Sequence, residues 1–587
     1  MRITRLFDFI RYQAEEYPKS DALCSKENGS WRNYSTSEVL QMSDRFSSGL
    51  VAMGFQPGDK IAMITNNRPE WNFADIGMMQ IGVINVPIYT TLSEQEIRFI
   101  LHDCGAKMVI AGNEELYRKV VNVREQVPSL NWIFTFDHIP GQPHWFEVLE
   151  AGDGRNPDAW KALSSNVSPA DCATILYTSG TTGVPKGVML SHYNMVSNVL
   201  AVRHLPPVDK SHRALSFLPL CHSYERVLTY LYQYLGVSVY YAESMEKIVD
   251  NLKEVKPHVF SSVPRLLEKV YDRIVDKGKE LTGVKRGLFF WSLGLAHKFE
   301  LDSGSRPLYA FKLSIARKLV FSKWREALGG NVKVIVSGGA ALQPRLARVF
   351  WAAGIPVLEG YGLTETSPII AVNNFEENGT SFGTVGPVIS GVSVRIADDG
   401  EIVCKGPNVM MGYYNRPDLT AEVIDSEGWF HTGDIGTFID HRFLKITDRK
   451  KEIFKTSGGK YIAPQAIENK LKESPFIEQI MVVGENERFP GALIVPAFPH
   501  LQKWAEHKGI PFKDNRDLIS KPEVIDKISR EVQMLNEVFG QTEQIKKFEL
   551  LPAEWTIDSG ELTATLKLRR KIIASKYKEL IDKIYHE

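Results

Sequence analysis

Strand-like apolar runs alternate with helical patterns through the first 150 residues of this sequence. The runs at 60–65, 107–111 and 132–136 are separated by stretches in which apolar residues recur at helical spacing. One helix start is explicit, because Ser93 and Glu96 have the spacing of a capping box just before an apolar run. Strands that alternate with helices pair in parallel and are covered by helices on their faces. The sequence therefore predicts an α/β fold.

The length and a change of composition indicate more than one domain. A chain of 587 residues is too long for one compact core, which predicts a large body of βα-layered subdomains and at least one further domain. Short alternating runs around an Asp-Gly turn predict a small antiparallel, β-barrel-like subdomain at about 383–440. The sequence then becomes basic and glycine-rich, and an α+β pattern follows. We predict an N-terminal domain at 1–448 and a smaller C-terminal domain at 449–587.

Charge and cysteine usage argue against several classes of protein. Lys plus Arg equals Asp plus Glu at 70 each, so no net field favours a nucleic acid as partner. The five cysteines lie far apart without a C-x-x-C pair, which argues against a disulfide framework and is typical of a reducing cytoplasm. Apolar stretches are too short or interrupted to span a bilayer, which takes roughly 20 residues. We expect a soluble, cytoplasmic protein, and peripheral contact with the inner face of a membrane is left open.

Residues 177–187, which read Tyr-Thr-Ser-Gly-Thr-Thr-Gly-Val-Pro-Lys-Gly, combine hydroxyls, glycines and one lysine. Gly180, Gly183 and Gly187 would let the backbone approach a ligand, while hydroxyls and loop amides can donate to phosphate oxygens. Lys186 adds a compact positive charge, although the spacing is not that of a Walker A loop. Composition alone favours a surface turn, whereas the exact residue order favours a phosphate loop. Its candidate residues are Thr178, Ser179, Gly180, Thr181, Thr182, Gly183 and Lys186.

Two further apolar runs, at 333–341 and 357–368, each lead into a glycine-rich turn. Two such turns can form the walls of a flat pocket that admits a planar base. The ring of Tyr361 can stack on such a base, although this residue alone could equally belong to a capped turn. The candidate residues of the first turn are Gly338, Gly339 and Ala340.

Another strand-like run begins at Arg213 and ends on His222. Open α/β sheets bind ligands at the carboxyl ends of their strands, so this histidine is well placed to meet a substrate. A lone histidine is as often structural. The tyrosines that follow could line a tunnel for an acyl chain, but packing is the favoured explanation for most of them, namely Tyr224, Tyr230, Tyr232 and Tyr234.

Residues 265–328 are predicted to be helical. They include a basic amphipathic section from Arg306 to Arg325, in which cations and apolar residues interleave. Such a section could lie on an anionic membrane. A solvated basic face over an ordinary core stripe is the favoured interpretation.

The 177–187 loop resembles, nearly residue for residue, the phosphate loop of the adenylate-forming enzymes, the superfamily of acyl-CoA synthetases, luciferases and peptide adenylation domains. The 333–341 turn is similar to the adenine-binding turn of that superfamily, and the 357–368 turn to its magnesium-ligand signature. The resemblance implies that Glu365 binds Mg²⁺ and that Thr364 lies near the α-phosphate. It implies further nucleotide contacts from Glu359, Gly360, Tyr361 and Gly362, and catalytic roles for Lys567, Glu365, Thr181 and His222.

The resemblance continues to the end of the chain. It implies a ribose-binding Asp434, a nucleotide-binding Arg449, a hinge at Lys451 and a CoA-side loop at Ser457, Gly458 and Gly459. Lys567 matches the lysine that bridges the carboxylate and the α-phosphate during adenylation. One departure is Ala564, which stands where the superfamily usually has proline and affects the approach to Lys567.

The stretch at 265–328 and the segment around His222 are most similar to AMP-forming long-chain fatty acyl-CoA synthetases. The resemblance implies ATP-dependent activation of a fatty acid through an acyl-adenylate, with Mg²⁺ as cofactor and coenzyme A as co-substrate. It also implies a mobile C-terminal domain that rotates between the two half-reactions. The alternatives are a ligase that loads an acyl carrier protein, a medium-chain or aryl acid CoA ligase, a luciferase-like oxygenase and a non-catalytic nucleotide-binding protein. Acyl chain length and the choice between monomer and homodimer stay open.

Overall fold

A computed structural model describes residues 2–154, 158–179, 184–302, 306–557, 559–563 and 567–586. The chain divides into two compact units. Unit 1 comprises Met1–Arg395, Val403–His431 and Ile439–Leu444, and unit 2 comprises Ile396–Ile402, Thr432–Phe438 and Lys445–Glu587.

The strands of the described residues are, in chain order, β1 Leu23–Glu27, β2 Ser30–Tyr34, β3 Lys60–Ile64, β4 Ile84–Ile88, β5 Met108–Ala111, β6 Trp132–Thr135, β7 Cys172–Ser179, β8 Pro185–Ser191, β9 Arg213–Ser216, β10 Ser238–Tyr241, β11 Val259–Ser262, β12 Val334–Ser337, β13 Val357–Gly362, β14 Ile369–Val372, β15 Ser393–Ile396, β16 Glu401–Lys405, β17 Gly412–Tyr413, β18 Phe430–Ile439, β19 Phe443–Arg449, β20 Phe454–Lys455, β21 Tyr461–Ile462, β22 Ile477–Val483, β23 Gly491–Pro496 and β24 Lys547–Leu550.

The α-helices are α1 Asp8–Glu16, α2 Thr36–Ala52, α3 Pro69–Gln80, α4 Glu94–Cys104, α5 Glu114–Val123, α6 Phe146–Gly152, α7 Asp158–Asn166, α8 His192–Val202, α9 Ser223–Leu235, α10 Ile248–Val255, α11 Pro264–Glu280, α12 Gly283–Ala296, α13 Pro307–Ala316, α14 Ser322–Ala327, α15 Pro344–Ala352, α16 Pro417–Val423, α17 Pro464–Leu471, α18 Phe498–His507, α19 Asn515–Ile519, α20 Pro522–Asn536, α21 Arg570–Lys576 and α22 Lys578–His586. A π-helical turn at Arg317–Phe321 joins α13 to α14, and 3₁₀ turns lie at Arg124–Gln126 and Thr364–Thr366.

Two mainly parallel sheets dominate unit 1. The first has the strand order β14-β13-β12-β11-β9-β10-β1-β2, with parallel pairing from β13 to β1 and antiparallel strands at both edges. The second has the order β17-β8-β7-β4-β3-β5-β6, with parallel pairing from β7 to β6 and antiparallel pairing from β7 to β17. The predicted α/β fold is confirmed.

Smaller sheets follow the two parallel ones along the chain. The strands β15, β16, β18 and β19 form a four-stranded sheet in the order β15-β16-β18-β19, and the predicted turn between β15 and β16 is present at Gly400, whose amide donates to Ala397 O. In unit 2, β22, β23 and β24 form a three-stranded sheet, and β20 and β21 form a hairpin. Unit 2 therefore combines short sheets with helices, as an α+β pattern predicts.

Local sequence signals account for several element boundaries. The hydroxyl of Ser93 accepts a hydrogen bond from Glu96 N at 3.3 Å, and the carboxylate of Glu96 accepts one from Ser93 N at 3.0 Å. The predicted capping box at the start of α4 is therefore confirmed. Strands β4 and β5 are buried along their whole length, which explains their continuous apolar sequence.

The predicted helical stretch at 265–328 is confirmed by α11 to α14. The expectation that its apolar residues form an ordinary core stripe under a solvated basic face is only half right. Leu313, Val320 and Trp324 are buried, whereas Leu308 and Phe311 point to solvent. The section from α13 onward carries more apolar side chains than one buried face can hold, so some of them remain on the surface.

Candidate active site

The predicted phosphate loop joins β7 to β8, which pair as an antiparallel hairpin with Thr178 opposite Lys186. Gly180, Thr181, Thr182 and Gly183 lie outside the described residues, as does the side chain of Ser179. The described strands place Lys186 three residues beyond that turn.

Strand packing explains why glycine is required at position 187, whereas the sequence predicted that Gly187 lets the backbone approach a ligand. It lies within β8, opposite Tyr177. A Cβ atom at Gly187 would come within 2.8 Å of Ile175 Cγ2 and 3.1 Å of the Tyr177 ring. The close approach that requires glycine is therefore one between neighbouring strands of the same sheet.

Lys186 and Glu365 both contact Tyr413, a residue that the sequence did not single out. The Lys186 ammonium lies 5.1 Å from the centre of the Tyr413 ring. The Tyr413 hydroxyl donates a hydrogen bond to Glu365 Oε1 at 2.9 Å. Strand β17 holds this tyrosine in place, because Gly412 pairs with Met189 and Tyr413 with Val188. The predicted phosphate-binding lysine and the predicted metal ligand thus meet at one aromatic side chain.

The environment of Tyr413 keeps its hydroxyl protonated. Burial, and then the negative charge of Glu365, raise the pKa of Tyr413. A protonated hydroxyl can go on donating to the carboxylate. The backbone supports the same arrangement, because Met410 N donates to Glu365 O at 2.8 Å and Tyr414 N donates to Gly187 O at 2.7 Å.

The first glycine-rich turn follows β12, whereas the glycines of the second lie within the neighbouring strand β13 rather than in the predicted turn. The two strands are parallel, and Ser337 of β12 pairs with Glu359 of β13. Gly338, Gly339 and Ala340 follow β12, and Gly339 has a φ of +83° that favours glycine. Gly362 permits a close backbone approach, because a Cβ atom there would overlap Pro368 O. The predicted residues Glu359, Gly360, Tyr361 and Gly362 all lie on β13, and Thr364 and Glu365 lie in the 3₁₀ turn after it.

Glu359 of β13 is hydrogen-bonded to the loop that follows β12. Its carboxyl group is buried and accepts a hydrogen bond from Leu342 N at 2.9 Å. Burial raises the pKa of Glu359 to about 8. The position that the resemblance links to nucleotide binding therefore makes a backbone contact that shapes the loop after β12.

His222 is the N-cap residue of α9, and its Nδ1 accepts a hydrogen bond from Tyr224 N at 3.1 Å. This contact is a structural one, and a role toward an acyl group stays a prediction. Of the tyrosines on α9, Tyr230 is confirmed as a packing residue. Its hydroxyl donates to Asp75 Oδ2 at 2.5 Å, and Arg226 forms a buried ion pair with Asp75 Oδ1 at 2.6 Å.

Within unit 2, Asp434 and Arg449 form an ion pair, with Arg449 Nε 3.1 Å from Asp434 Oδ1. The structure thus brings together the two residues that the resemblance assigns to the nucleotide. The predicted hinge residue Lys451 is exposed in the turn after β19, where Ile453 N donates to Arg449 O at 3.1 Å.

The predicted CoA-side loop forms the turn between β20 and β21. The amide of Ser457 donates to Glu487 O at 2.8 Å, and Gly459 N donates to Thr456 O at the same distance. Gly458 and Gly459 are exposed, and the φ of +75° at Gly459 suits a tight turn.

Lys567 is exposed near the end of unit 2, and Ala564 lies outside the described residues. The amide of Lys567 donates to Thr563 Oγ1 at 3.0 Å, and Thr563 N donates to Lys567 O at 2.9 Å. Leu562 and Leu568 close this turn as a β-bridge.

Arg570, which the sequence did not single out, anchors the segment after Lys567. Its Nε donates to Glu452 Oε2 at 2.8 Å, and its two terminal nitrogens donate to the two carboxylate oxygens of Glu468 at 2.8 and 2.7 Å. Burial alone would raise the pKa of Glu452, but the Arg570 charge, together with the hydrogen bonds from Gln465 and Arg570 and the Arg449 charge, lowers it overall. Glu452 follows the predicted hinge residue directly, so Arg570 ties that turn to the segment bearing Lys567.

The described residues contain no cluster of three or more His, Cys, Asp or Glu side chains that could hold a metal ion. A single carboxylate at Glu365 beside a lysine nonetheless fits Mg²⁺, which typically binds one or two carboxylates together with phosphate oxygens. Glycine-rich segments at the ends of parallel strands, together with a lysine and a carboxylate that contact the same tyrosine, are typical of nucleotide-binding enzymes.

Comparison with known proteins narrows that class. The AMP-binding enzyme family matches residues 10–414, and the AMP-binding enzyme C-terminal domain matches residues 451–587. The chain belongs to the AMP-binding enzyme family, whose members use ATP, Mg²⁺ and CoA.

Relatives are similar over nearly the whole chain. The chain is 35% identical to the long-chain-fatty-acid–CoA ligase FadD15 of Mycobacterium bovis, covering 95% of this chain and 93% of that protein. It is 32% identical to long-chain-fatty-acid–CoA ligase 1 of Homo sapiens, covering 94% of this chain and 82% of that protein. The crystal structure of the anthranilate CoA ligase AuaEII in complex with anthranoyl-AMP has the same fold, with a TM-score of 0.73 and 18% identity over 97% of both chains.

Proposed function

We propose that this chain is an AMP-forming ligase that converts long-chain fatty acids to acyl-CoA through an acyl-adenylate. The observation that carries the proposal is the contact of Lys186 and Glu365 with the same Tyr413 side chain, at 5.1 Å and 2.9 Å. This arrangement provides one cation and one metal-binding carboxylate for a nucleoside triphosphate. The fatty acid as substrate is supported by the names of the relatives, which are long-chain-fatty-acid–CoA ligases.

In the first half-reaction, a carboxylate oxygen of the fatty acid attacks the α-phosphorus of ATP, and the bond to pyrophosphate breaks. Lys186 and the hydroxyls of the phosphate loop orient the triphosphate. Lys567 neutralises the negative charge that develops between the carboxylate and the α-phosphate. Glu365, oriented by Tyr413, would hold Mg²⁺, which when bound neutralises phosphate charge.

In the second half-reaction, the thiol of CoA gives its proton to solvent, and its sulfur attacks the acyl carbon of the adenylate. The bond between the acyl carbon and the phosphate oxygen breaks, and AMP leaves with that oxygen. We place the ribose near Asp434 and Arg449, and the pantetheine arm near Ser457, Gly458 and Gly459. The proposal includes domains at 1–448 and 449–587 and a rotation about Lys451 between the two half-reactions. It also includes peripheral contact of the cytoplasmic protein with a membrane, which supplies the fatty acid.

The test is a pyrophosphate-release assay across carboxylic acids from short to very long chains, and aryl acids, with and without CoA. We expect release that depends on a long-chain acid, and acyl-CoA only when CoA is present. If a pantetheinylated carrier protein outcompetes free CoA, the chain is an acyl-AMP ligase that loads a carrier. Release with aryl or medium-chain acids alone would overturn the assigned substrate, and no release with any acid would overturn the activity.

A further inference from the structure

The outward side of α13 and of the π-helical turn after it is more apolar than a solvated surface requires. Leu308, Phe311 and Leu319 expose 68%, 64% and 53% of their surface. Leu308 and Phe311 are three residues apart, so they share one side of α13. The opposite side is fully used by the core, where Leu313 and Val320 are buried. We call the exposed side, defined by Leu308, Phe311 and Leu319 with Lys312 and Lys318, the outer face.

Positive charge accompanies these apolar side chains. Residues 306–327 contain six Lys and Arg and one acidic residue, Glu326. Glu326 pairs with Lys323 at 3.1 Å. Lys312 and Lys318 are exposed, and within the part of the chain that the structure describes neither forms an ion pair. The outer face therefore combines large apolar side chains with uncompensated cations.

The neighbouring helix α12 adds aromatic side chains of the same character. Tyr309 OH donates to Leu295 O at 2.8 Å and joins the start of α13 to the end of α12. Phe290 and Trp291 of α12 are partly exposed, and the Arg286 guanidinium lies 5.9 Å from the centre of the Phe290 ring. Aromatic rings beside cations are typical of side chains at the boundary between a membrane and water.

We propose that the outer face docks on an anionic lipid bilayer. This proposal rests on the proposed function and identifies the surface that makes its membrane contact. Lys312 and Lys318 complement the negative surface of the bilayer, and Leu308, Phe311 and Leu319 enter the boundary between headgroups and acyl chains. A second copy of the same face would place these lysines against each other, which disfavours self-association. Among the described residues no helix is long and apolar enough to cross a bilayer, so the contact is one in the plane of the membrane.

Flotation of the full chain with vesicles tests the proposal, using phosphatidylcholine alone or equal parts of phosphatidylcholine and phosphatidylglycerol, without ATP. We expect at least about tenfold stronger binding to the anionic vesicles. The double variants Leu308→Ser/Phe311→Ser and Lys312→Glu/Lys318→Glu should each lower that binding about tenfold. Matched control variants change exposed residues elsewhere on the chain, namely Met534→Ser/Val538→Ser and Lys503→Glu/Lys508→Glu, and should bind as the unchanged chain does.

Equal binding to both kinds of vesicle, or outer-face variants that bind like their controls, would overturn the proposal. Sedimentation that shows self-association through Leu308 and Phe311, without vesicle binding, would instead assign the face to a second copy. Pyrophosphate release with a detergent-dispersed fatty acid tests the proposed enzyme activity separately from the docking surface. If release is absent while vesicle binding follows the expected pattern, the proposed enzyme activity fails and the docking surface stands.

Discussion

Tyr413 contacts two predicted site residues that come from distant parts of the sequence. Its ring lies beside the Lys186 ammonium, and its hydroxyl donates to Glu365. Partners of a metal-binding carboxylate hold its oxygens in the direction that the metal requires, and their loss typically lowers metal affinity by about 10–100-fold. In the proposed function, Tyr413 is a positioning residue that works through Glu365.

The variant Tyr413→Phe should weaken the binding of Mg²⁺ in the first half-reaction. It keeps the ring beside Lys186 and removes the hydrogen bond to Glu365, so the Mg²⁺ concentration for half-maximal pyrophosphate release should rise about tenfold. ATP binding measured by calorimetry with and without Mg²⁺ provides a readout that is independent of turnover. The neighbouring variant Tyr414→Phe is the control, and a Mg²⁺ response that is the same in both variants would contradict the role of Tyr413.

Arg570 connects two helices and a turn within unit 2. It is the first residue of α21, Glu468 lies on α17, and Glu452 lies in the turn after β19. The Arg570 and Glu468 side chains are 20% and 4% exposed, so removing the cation leaves a buried carboxylate without its counter-charge. Removing one partner from a buried ion pair costs about 3–5 kcal/mol.

The variant Arg570→Leu should lower the free energy of unfolding of unit 2 by about 3–5 kcal/mol. Lys571, the next residue on the same helix, is exposed, and Lys571→Leu should change stability by less than about 0.5 kcal/mol. Thermal and denaturant unfolding of the full chain, followed by tryptophan fluorescence, measure the difference. Equal stability of the two variants would show that the Arg570 contacts do not hold these elements together.

Local and distant contacts differ in how far the sequence predicts them. The capping box of Ser93 and the parallel strands follow from residues close together in the chain, and the structure confirms both. Tyr413 and its partner Glu365 are 48 residues apart, and Arg570 and Glu452 are 118 residues apart. No spacing rule connects such pairs, since the fold alone brings them into contact. The exposure of Leu308 and Phe311 was likewise beyond the sequence, because helical periodicity does not reveal which apolar side faces the core.

Because of three buried carboxyl groups, we expect the free energy of unfolding of the whole molecule to depend on pH. Burial raises the pKa of Glu359 to about 8, of Glu225 to about 7 and of Asp448 to about 7. Each is more easily protonated in the folded chain than in the unfolded chain. The stability that the neutral forms provide is therefore fully present below the ordinary carboxyl pKa and is lost as the pH rises to between 7 and 8.

We expect the melting temperature to fall as the pH rises from about 5.5 to about 8.5. The variant Glu359→Gln cannot ionise and keeps an oxygen that accepts from Leu342 N, so its melting temperature should fall less over the same range. Glu377→Gln, at an exposed position, is the control and should follow the unchanged chain. A slope for Glu359→Gln that equals the slope of the control would show that this carboxyl group does not contribute to the pH dependence.

In the proposed function, this chain forms an acyl-adenylate, and Lys567 serves this step alone. The most direct measurement compares the two half-reactions of Lys567→Ala: pyrophosphate release with fatty acid and ATP, and acyl-CoA formation from supplied acyl-AMP and CoA. Loss of a charge that stabilises the transition state should slow pyrophosphate release by about a hundredfold or more, and leave acyl transfer to CoA close to that of the unchanged chain. Equal loss in both half-reactions, or unchanged pyrophosphate release, would show that Lys567 does not serve adenylate formation alone.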